Sequence, residues 1–158
     1  MALTPAQLQT LKAAIAAETD PAFIPFRQAG DEQGMANWYN QPSTFVVWRT
    51  SVPLSDVAAN VDGVELVGLT AVKLAAYQSL LLAGSVNPSK DRLRAGFDQV
   101  FSAAGGATTR PLLLALWKRF ALRGEKVYAT GTGSDATPGL LAFEGQITAQ
   151  NISDALRS

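Results

Sequence analysis

Only one stretch of this chain is rich in β-branched and aromatic residues, and that scarcity argues against a fold built on sheets. The stretch is Phe45–Val52, FVVWRTSV, and prolines at positions 42 and 53 bracket it, as is typical of a single strand. Its candidate partner is Leu140–Ile147, where apolar and polar positions alternate. The sequence therefore predicts at most one small two-stranded β-ribbon, with helices forming the rest of the fold.

Helix start signals are clear at both ends of the chain. Thr4 and Gln7 form a capping box with Pro5 between them, which predicts an amphipathic N-terminal helix over residues 1–19. Its apolar stripe consists of Leu8, Leu11 and Ile15. Thr148 predicts a short C-terminal helix over residues 148–158.

The interior predicts further helices, of differing length and burial. Prolines and glycines limit residues 20–40 to short helical turns. Thr70 caps a segment, residues 71–84, that is apolar on nearly every side with Lys73 as its single charge, which predicts a central, buried helix.

Two amphipathic patterns follow, and they complete the predicted fold. The first has a core face of Leu93, Gly96, Phe97, Val100 and Phe101. The second, with Thr109 as its N-cap, has a core stripe of Leu113, Leu116, Trp117, Phe120, Gly124 and Val127. We therefore predict a mainly α protein, a single-domain helical bundle over residues 1–158.

The amino-acid composition narrows the possible chemistry. The 158 residues contain neither histidine nor cysteine, so the usual base for a serine nucleophile, a disulfide framework and a thiolate metal site are all missing. The acidic residues fit neither a calcium loop nor a catalytic carboxylate pair. We predict no catalytic, cofactor-binding or metal-binding residues and interpret the chain as a non-enzyme.

The apolar region 66–84 is interrupted by polar residues, and the N-terminus resembles no export signal, so no membrane association is expected.

The glycine-rich segment ATGTGSDATPG, residues 129–139, resembles a phosphate-binding loop at first sight. A dinucleotide fingerprint requires a preceding strand, and a P-loop requires Lys-Ser or Lys-Thr after its glycine. Neither condition is met. We interpret the segment as the C-cap of the preceding helix followed by an exposed loop.

Two groups of residues are candidates for an interface. Arg119, Arg123 and Lys126 share the side opposite the core stripe of their predicted helix, but the neighbouring aromatic residues lie on that stripe, which argues against a nucleic-acid surface. Trp38, Tyr39 and Trp48 are of types enriched in binding hot spots, and burial in the core is the alternative for each.

The net charge of zero conceals a polarity along the chain. Residues 1–66 carry three basic and seven acidic side chains, whereas residues 90–126 carry eight basic and three acidic ones. Opposite charges on opposite surfaces would favour a head-to-tail homo-oligomer, including a closed ring. The alternative is that the two charge blocks meet and cancel inside one monomer.

Four segments carry a resemblance to known proteins: FVVWRTSVPLSDV, GLTAVKLAAYQSL, NPSKDRLRAGFDQVF and RGEKVYATGTGSDATPGLLAFEGQIT, in this order. Together they resemble a family of small proteins that tailed bacteriophages and prophages encode among their virion structural genes. The resemblance runs from about Asp20 to near the C-terminus and is most specific in the last segment.

This resemblance implies a virion structural protein, a head–tail connector or tail component that acts by oligomerisation and protein docking. The implied partners are the chain itself and other phage structural proteins, in the virion and, during assembly, in the host cytoplasm. It implies no catalytic residues and no cofactor. A capsid decoration protein, a non-virion assembly factor and, from another class, a small phage enzyme are the alternatives.

Overall fold

The computed structural model describes residues 2–158, so Met1 of the predicted domain lies outside the described residues. The α-helices in this part of the chain are α1 Pro5–Ala17, α2 Ile24–Ala29, α3 Glu32–Tyr39, α4 Leu54–Ala59, α5 Gly63–Val67, α6 Ala71–Leu80, α7 Asp91–Val100, α8 Thr109–Leu116, α9 Arg123–Val127 and α10 Ala149–Arg157. The strands are β1 Pro42–Trp48, β2 Val52–Pro53, β3 Ser85–Val86, β4 Lys118–Leu122, β5 Ala129–Thr130 and β6 Leu140–Leu141. A predominantly helical fold is thus confirmed.

The chain divides into two compact units. The terminal unit comprises the residues up to Val47 and from Phe120 onwards, and the central unit comprises Trp48–Arg119. Each unit has a hydrophobic core of its own. The single domain over residues 1–158 stays a prediction, because two units of one chain can still unfold in one cooperative transition.

The two terminal helices form as their cap signals predict. Thr4 and Gln7 make the capping box at the start of α1, and Leu11 and Ile15 are buried. Thr148 and Asn151 make a second capping box at the start of α10. Both helices belong to the terminal unit, where α10 packs against α1 and α3.

The carboxyl end of α1 is capped from a distance along the chain. One guanidinium nitrogen of Arg27 donates to the carbonyl oxygens of Ile15, Ala16 and Glu18 at 2.9–3.0 Å. These carbonyls have no partner within the helix, so the cation both satisfies them and complements the helix dipole. This contact fixes the segment that leads into α2 and α3.

The predicted strand exists, but its predicted partner is wrong. β1 pairs with β4, whereas β6 pairs antiparallel with β5, with Ala129 opposite Leu141 and Thr130 opposite Leu140. A third ribbon joins β2 and β3, so the prediction of at most one ribbon is also wrong. Alternating apolar and polar residues predict that a segment forms a strand. The alternation does not specify which other strand pairs with that segment.

The core of the central unit contains the predicted face of α7. Phe97, Val100 and Phe101 are all buried there, and the ring of Trp117 lies 5.3 Å from that of Phe97. Tyr77 packs edge-on against both phenylalanine rings. This part of the prediction is confirmed, because a helical stripe flanked by charges has only one face that can be buried.

The prediction of one helix from Thr109 through Val127 is wrong. The segment forms α8, then the extended β4, then α9, and Phe120, which the pattern assigned to the core, is 62% exposed. Thr109 lies inside α8 and accepts a hydrogen bond from the backbone N–H of Asp62. Helical spacing persists through 118–122, but pairing with β1 gives those residues an extended backbone, a case of tertiary structure overriding local pattern.

The prediction that α6 is central and buried is also wrong. Thr70 is its N-cap as predicted, yet Tyr77 is its only buried residue. An all-round apolar surface predicts burial only when other elements cover every side of the helix. No element in the described residues covers the side of α6 that carries Val72, and this side chain is 80% exposed.

Candidate functional site

Four of the six candidate interface residues converge on one cavity of the terminal unit. Trp38 and Tyr39 end α3, while Arg123 and Lys126 lie on α9, and all four line a cavity of about 410 Å³. The other lining residues are Ala14, Glu18, Asp20, Pro42, Ser43, Thr44 and Val127. The sequence identified these four residue types as binding candidates, but residues 38–39 and 123–126 are brought together only by the fold.

A glycine allows α9 to approach the rest of the unit closely. A side chain at Gly124 would place its Cβ 2.6 Å from a side-chain carbon of Ile147 and 3.3 Å from the carbonyl oxygen of Tyr39. These distances leave no room for a Cβ without a shift of the neighbouring atoms. Gly124 therefore sets the spacing between α9 and the end of α3.

The close approach places a cation against an aromatic ring. The guanidinium carbon of Arg123 lies 3.4 Å from the centre of the Trp38 ring, within the range of a cation–π contact. The backbone N–H of Arg123 donates to the carbonyl oxygen of Gln41 at 2.9 Å, which anchors the start of α9. Trp38 is in turn packed against Phe23, with 5.7 Å between ring centres.

Three residues that line the cavity each have one buried polar atom without a hydrogen-bond partner. The atoms are Nε1 of Trp38, the hydroxyl oxygen of Tyr39 and Nη1 of Arg123. Tyr39 is 2% exposed and Trp38 6% exposed. Burial, followed by the nearby charge of Glu18, raises the pKa of Tyr39 well above its ordinary value, so the hydroxyl stays protonated. Buried polar groups are normally satisfied, so these three atoms are exceptions to the general pattern.

The two carboxylates of the cavity are engaged with the backbone. Oε1 of Glu18 accepts the N–H groups of Thr19 and Asp20 at 2.9 and 3.0 Å. Oδ1 of Asp20 accepts the N–H of Ala22 at 2.9 Å. These bonds hold both acidic side chains at the turn that follows α1.

The cavity also bears on the charge polarity of the sequence. Glu18 and Asp20 belong to the acidic segment and Arg123 and Lys126 to the basic one, yet all four line the same cavity of one unit. The two charge blocks therefore meet in part inside the monomer. What remains is a difference between units: five basic and eight acidic residues in the terminal unit, eight basic and five acidic in the central unit.

The remaining two candidate residues, Trp48 and Arg119, lie in the central unit. Trp48 is half-buried, packs against that unit's core, and has the guanidinium of Arg94 at 3.9 Å from its ring centre. Arg119 lies on β4, as neither helix α8 nor α9 includes it. The three basic residues 119, 123 and 126 thus share no helix face, and that part of the prediction is wrong.

The glycine-rich loop connects the two strands of a hairpin. α9 already ends at Val127 with Tyr128 as its C-cap, so the predicted C-cap role of the loop is wrong. Most of residues 130–137 are exposed, as predicted. Gly133, with φ of 66°, is buried beneath the ring of Phe45, which a side chain at that position would strike. The glycines serve chain reversal and close packing.

Sequence reasoning missed an exposed apolar surface in the central unit. Val64 and Val67 of α5, Val72 of α6 and Leu82 beyond it are 80–87% exposed. Ala75, Ala76 and Ser79 of α6 are also exposed, and Lys73 is the single charged residue of that helix. We call the exposed side chains of Val64, Val67, Val72, Ala75, Ala76, Ser79 and Leu82 the α5–α6 surface. The sequence signal for this surface is the apolar character of α6 on nearly every side. Such a helix can be buried in the core of its own chain or covered by a partner protein.

Two negative findings apply to residues 2–158. No group of three or more acidic side chains in that range is arranged to hold a metal ion. No helix in it is both long and apolar enough to span a bilayer.

Comparison with known proteins gives no relative from which a function could be carried over. No protein family model, no curated protein and no solved structure matches the chain.

Proposed function

We propose that this chain is a structural protein of a tailed-bacteriophage virion, a head–tail connector or tail component that acts by oligomerising and docking to other phage proteins. The setting comes from the resemblance of its four sequence segments. The structural observation that supports a docking role is the α5–α6 surface.

The α5–α6 surface has the character of an interface without its partner. Single exposed apolar residues are ordinary, but contiguous apolar patches on soluble proteins mark interaction sites. Val64, Val67, Val72 and Leu82 each leave four-fifths or more of their surface open. Covering one such side chain contributes roughly 1.5–3 kcal/mol, so a few of them can drive association.

Charge would then orient the association that the apolar surface drives. The terminal unit carries three more acidic than basic residues and the central unit three more basic than acidic ones. Such a difference favours contact between unlike units of neighbouring subunits, the head-to-tail arrangement that closes into rings.

The experiment pairs two alanine substitutions at exposed helix positions. Ala75→Glu places a charge in the α5–α6 surface, and Ala13→Glu places the same charge on an exposed position of α1. We expect Ala75→Glu to lower oligomerisation and particle assembly while its melting temperature stays close to that of Ala13→Glu. Light scattering and scoring of assembled particles provide the two measurements.

Mass spectrometry of purified particles distinguishes the proposed role from its alternatives. A low, ring-like copy number at the head–tail junction or in the tail supports the proposal. A copy number matching the capsid subunits would indicate a decoration protein, and absence from particles an assembly factor; either result contradicts the proposal. Equal assembly by the two glutamate variants would show that the α5–α6 surface has no role in assembly.

A further inference from the structure

We propose that a pocket between α7 and α8 of one subunit receives the acidic turn at residues 30–32 of a second copy of this chain. This inference rests on the proposed head-to-tail association and names two surfaces that would meet in it. The pocket belongs to the central unit and shares no residue with the α5–α6 surface.

The α7–α8 pocket combines positive charge with aromatic and aliphatic surface. It has a volume of about 540 Å³ and is lined by Trp48, Arg94, Asp98, Arg110, Pro111, Leu114 and Trp117. Two arginines and one aspartate give it a formal charge of plus one. Arg110 is exposed and Leu114 is 45% exposed. A partner can therefore reach both the charged and the apolar part of the pocket from solvent.

Two packed helices hold the residues that line the pocket. Arg94 and Asp98 lie one turn apart on α7, and Arg110 and Leu114 lie one turn apart on α8, so each pair shares a helix face. The core of the central unit joins the two helices, since it contains buried residues of both. The pocket is thus built on regular elements and keeps its shape without a ligand.

Contacts within the central unit fix both guanidinium groups of the pocket. Arg94 stacks on Trp48, with 3.9 Å between its guanidinium carbon and the ring centre, and its Nη1 donates to a backbone carbonyl oxygen. Nε and Nη2 of Arg110 donate to two backbone carbonyl oxygens at 3.2 and 3.3 Å. Cations that are already held in place lose little conformational entropy when they bind a carboxylate.

Partial burial strengthens the preference for an acidic partner. Burial lowers the pKa of Arg94, although the nearby carboxylates of Asp91 and Asp98 act in the opposite direction. Its charge is therefore partly desolvated. A carboxylate that approaches the pocket would offset this cost, because hydrogen bonds between a guanidinium and a carboxylate are among the strong ones.

The turn between α2 and α3 supplies matching carboxylates. Asp31 and Glu32 are consecutive, and residues 28–31 are all exposed. Gly30 ends α2 with φ of 65°, and Oδ1 of Asp31 accepts the N–H of Gly34 at 2.8 Å, which fixes the turn. The small side chains at positions 29 and 30 leave space for the two acidic residues to enter a concave surface.

The remaining acidic residues of the terminal unit are less suited to this contact. Glu18 and Asp20 accept backbone N–H groups and line a cavity with two basic residues. Glu125 is 2% exposed, and Asp154 accepts a hydrogen bond from a neighbouring glutamine. The last two acidic residues, at positions 135 and 144, also interact with other groups. Only at positions 31–32 does this unit have two consecutive acidic residues.

The test exchanges the charges of the two surfaces in the whole chain. Arg110→Glu gives the pocket another acid, and Glu32→Lys gives the turn a base. We expect each single variant to lower the association constant at least about tenfold at low salt. The double variant should recover association, because opposite charges meet again. Sedimentation equilibrium measures all four proteins.

Two further variants control for total charge and for folding. Arg92→Glu makes the same charge change on an exposed position of α7 that does not line the pocket. Combining it with Glu32→Lys should not recover association. Asp98→Asn removes the one acidic residue of the pocket at an exposed position and should raise the association constant. This variant and Glu32→Lys decide the question if Arg110→Glu does not fold.

The outcomes separate this contact from the proposed function. Recovery in the Arg110 double variant alone supports the contact. Loss of association without recovery, or association that ignores the pocket and turn variants, overturns the contact and leaves the α5–α6 surface as the proposed docking site. A wild-type monomer at every concentration also overturns the contact, whereas mass spectrometry of particles decides separately whether the protein belongs to the virion.

Discussion

The side-chain amide of Asn40 pairs with the backbone of Ile147 in both directions. Its Nδ2 donates to the carbonyl oxygen of Ile147 at 2.8 Å, and the N–H of Ile147 donates to its Oδ1 at 2.8 Å. The Asn40 amide thus makes the two hydrogen bonds that a neighbouring strand would make with Ile147, which lies 107 positions away in the sequence. It ties the end of α3 to the segment that leads into α10, beside the cavity.

Replacing this amide should destabilise the protein. Asn40→Ala leaves both backbone groups of Ile147 without their partner, and we expect the free energy of unfolding to fall by about 2 kcal/mol. Asn37→Ala is the control, because Asn37 is exposed and bonds only to the side chain of Gln33. Denaturant unfolding measures both; equal values would show that water replaces the Asn40 amide at no cost.

A side chain at Gly124 should strain the cavity. Gly124→Ala forces its Cβ against Ile147 and the backbone of Tyr39, and we expect a loss of roughly 1–3 kcal/mol of stability. Gly63→Ala is matched to it, because a Cβ at Gly63 meets nothing within 4 Å. That control should be neutral or slightly stabilising. Thermal unfolding compares the two, and a neutral Gly124→Ala would mean that α9 can move away freely.

Two buried aromatic residues of the central unit and one exposed phenylalanine of the terminal unit should contribute differently to stability. Phe97→Ala and Trp117→Ala remove rings that are 2% and 3% exposed, and each should cost roughly 3–5 kcal/mol. Phe120→Ala removes a ring that is 62% exposed and should cost far less. Chemical denaturation orders the three variants. A large loss for Phe120→Ala would place that ring in a covered environment.

Protonation of Glu65 should lower the free energy of unfolding at acid pH. Its carboxylate oxygens accept the N–H groups of Thr108 and Thr109 at 2.8 and 2.9 Å, where α8 begins. The hydrogen bond from Thr108 is the main cause that lowers the pKa of Glu65 below its ordinary value of 4.5. A lowered pKa in the folded state means that the stabilisation is present above pH 4.5 and is lost as pH falls through the folded value.

Glu65→Gln checks this assignment. The variant has no charge to lose, so the difference in unfolding free energy between wild type and variant should shrink as pH falls below 4.5. Urea unfolding at a series of pH values measures the difference. A gap that stays constant with pH would show that the carboxylate's charge contributes nothing.

The charge difference between the two units should act on association. We expect the proposed head-to-tail homo-oligomer to weaken as salt rises, because exposed charges are screened beyond about 10 Å at 0.1 M salt. Arg92→Glu on the exposed side of α7 should weaken it further at low salt and make no difference at high salt. Light scattering across a salt series tests this. A monomer under every condition, together with normal particle assembly by the variant, would contradict head-to-tail association.

The sequence by itself determined the elements whose causes are local. The capping boxes at Thr4 and Thr148 start α1 and α10 where the sequence places them. The amphipathic face of α7 is buried as its spacing predicts. In each case the deciding interactions join residues within a few positions of one another, so the pattern contains the whole cause. The sequence also identifies Trp38, Tyr39, Arg123 and Lys126 as interface candidates, and their role in an interface stays a prediction.

Tertiary structure decided whatever depends on a partner distant in the chain. Residues 118–122 keep a helical pattern but are extended because β1 lies beside them. α6 is apolar all round but exposed, since burial depends on what covers a helix and not on its composition. The cavity exists because Gly124 lets α9 approach Ile147 and Tyr39. A one-dimensional pattern records what a segment can bury or bond, whereas the fold selects its neighbours through the packing of the whole chain.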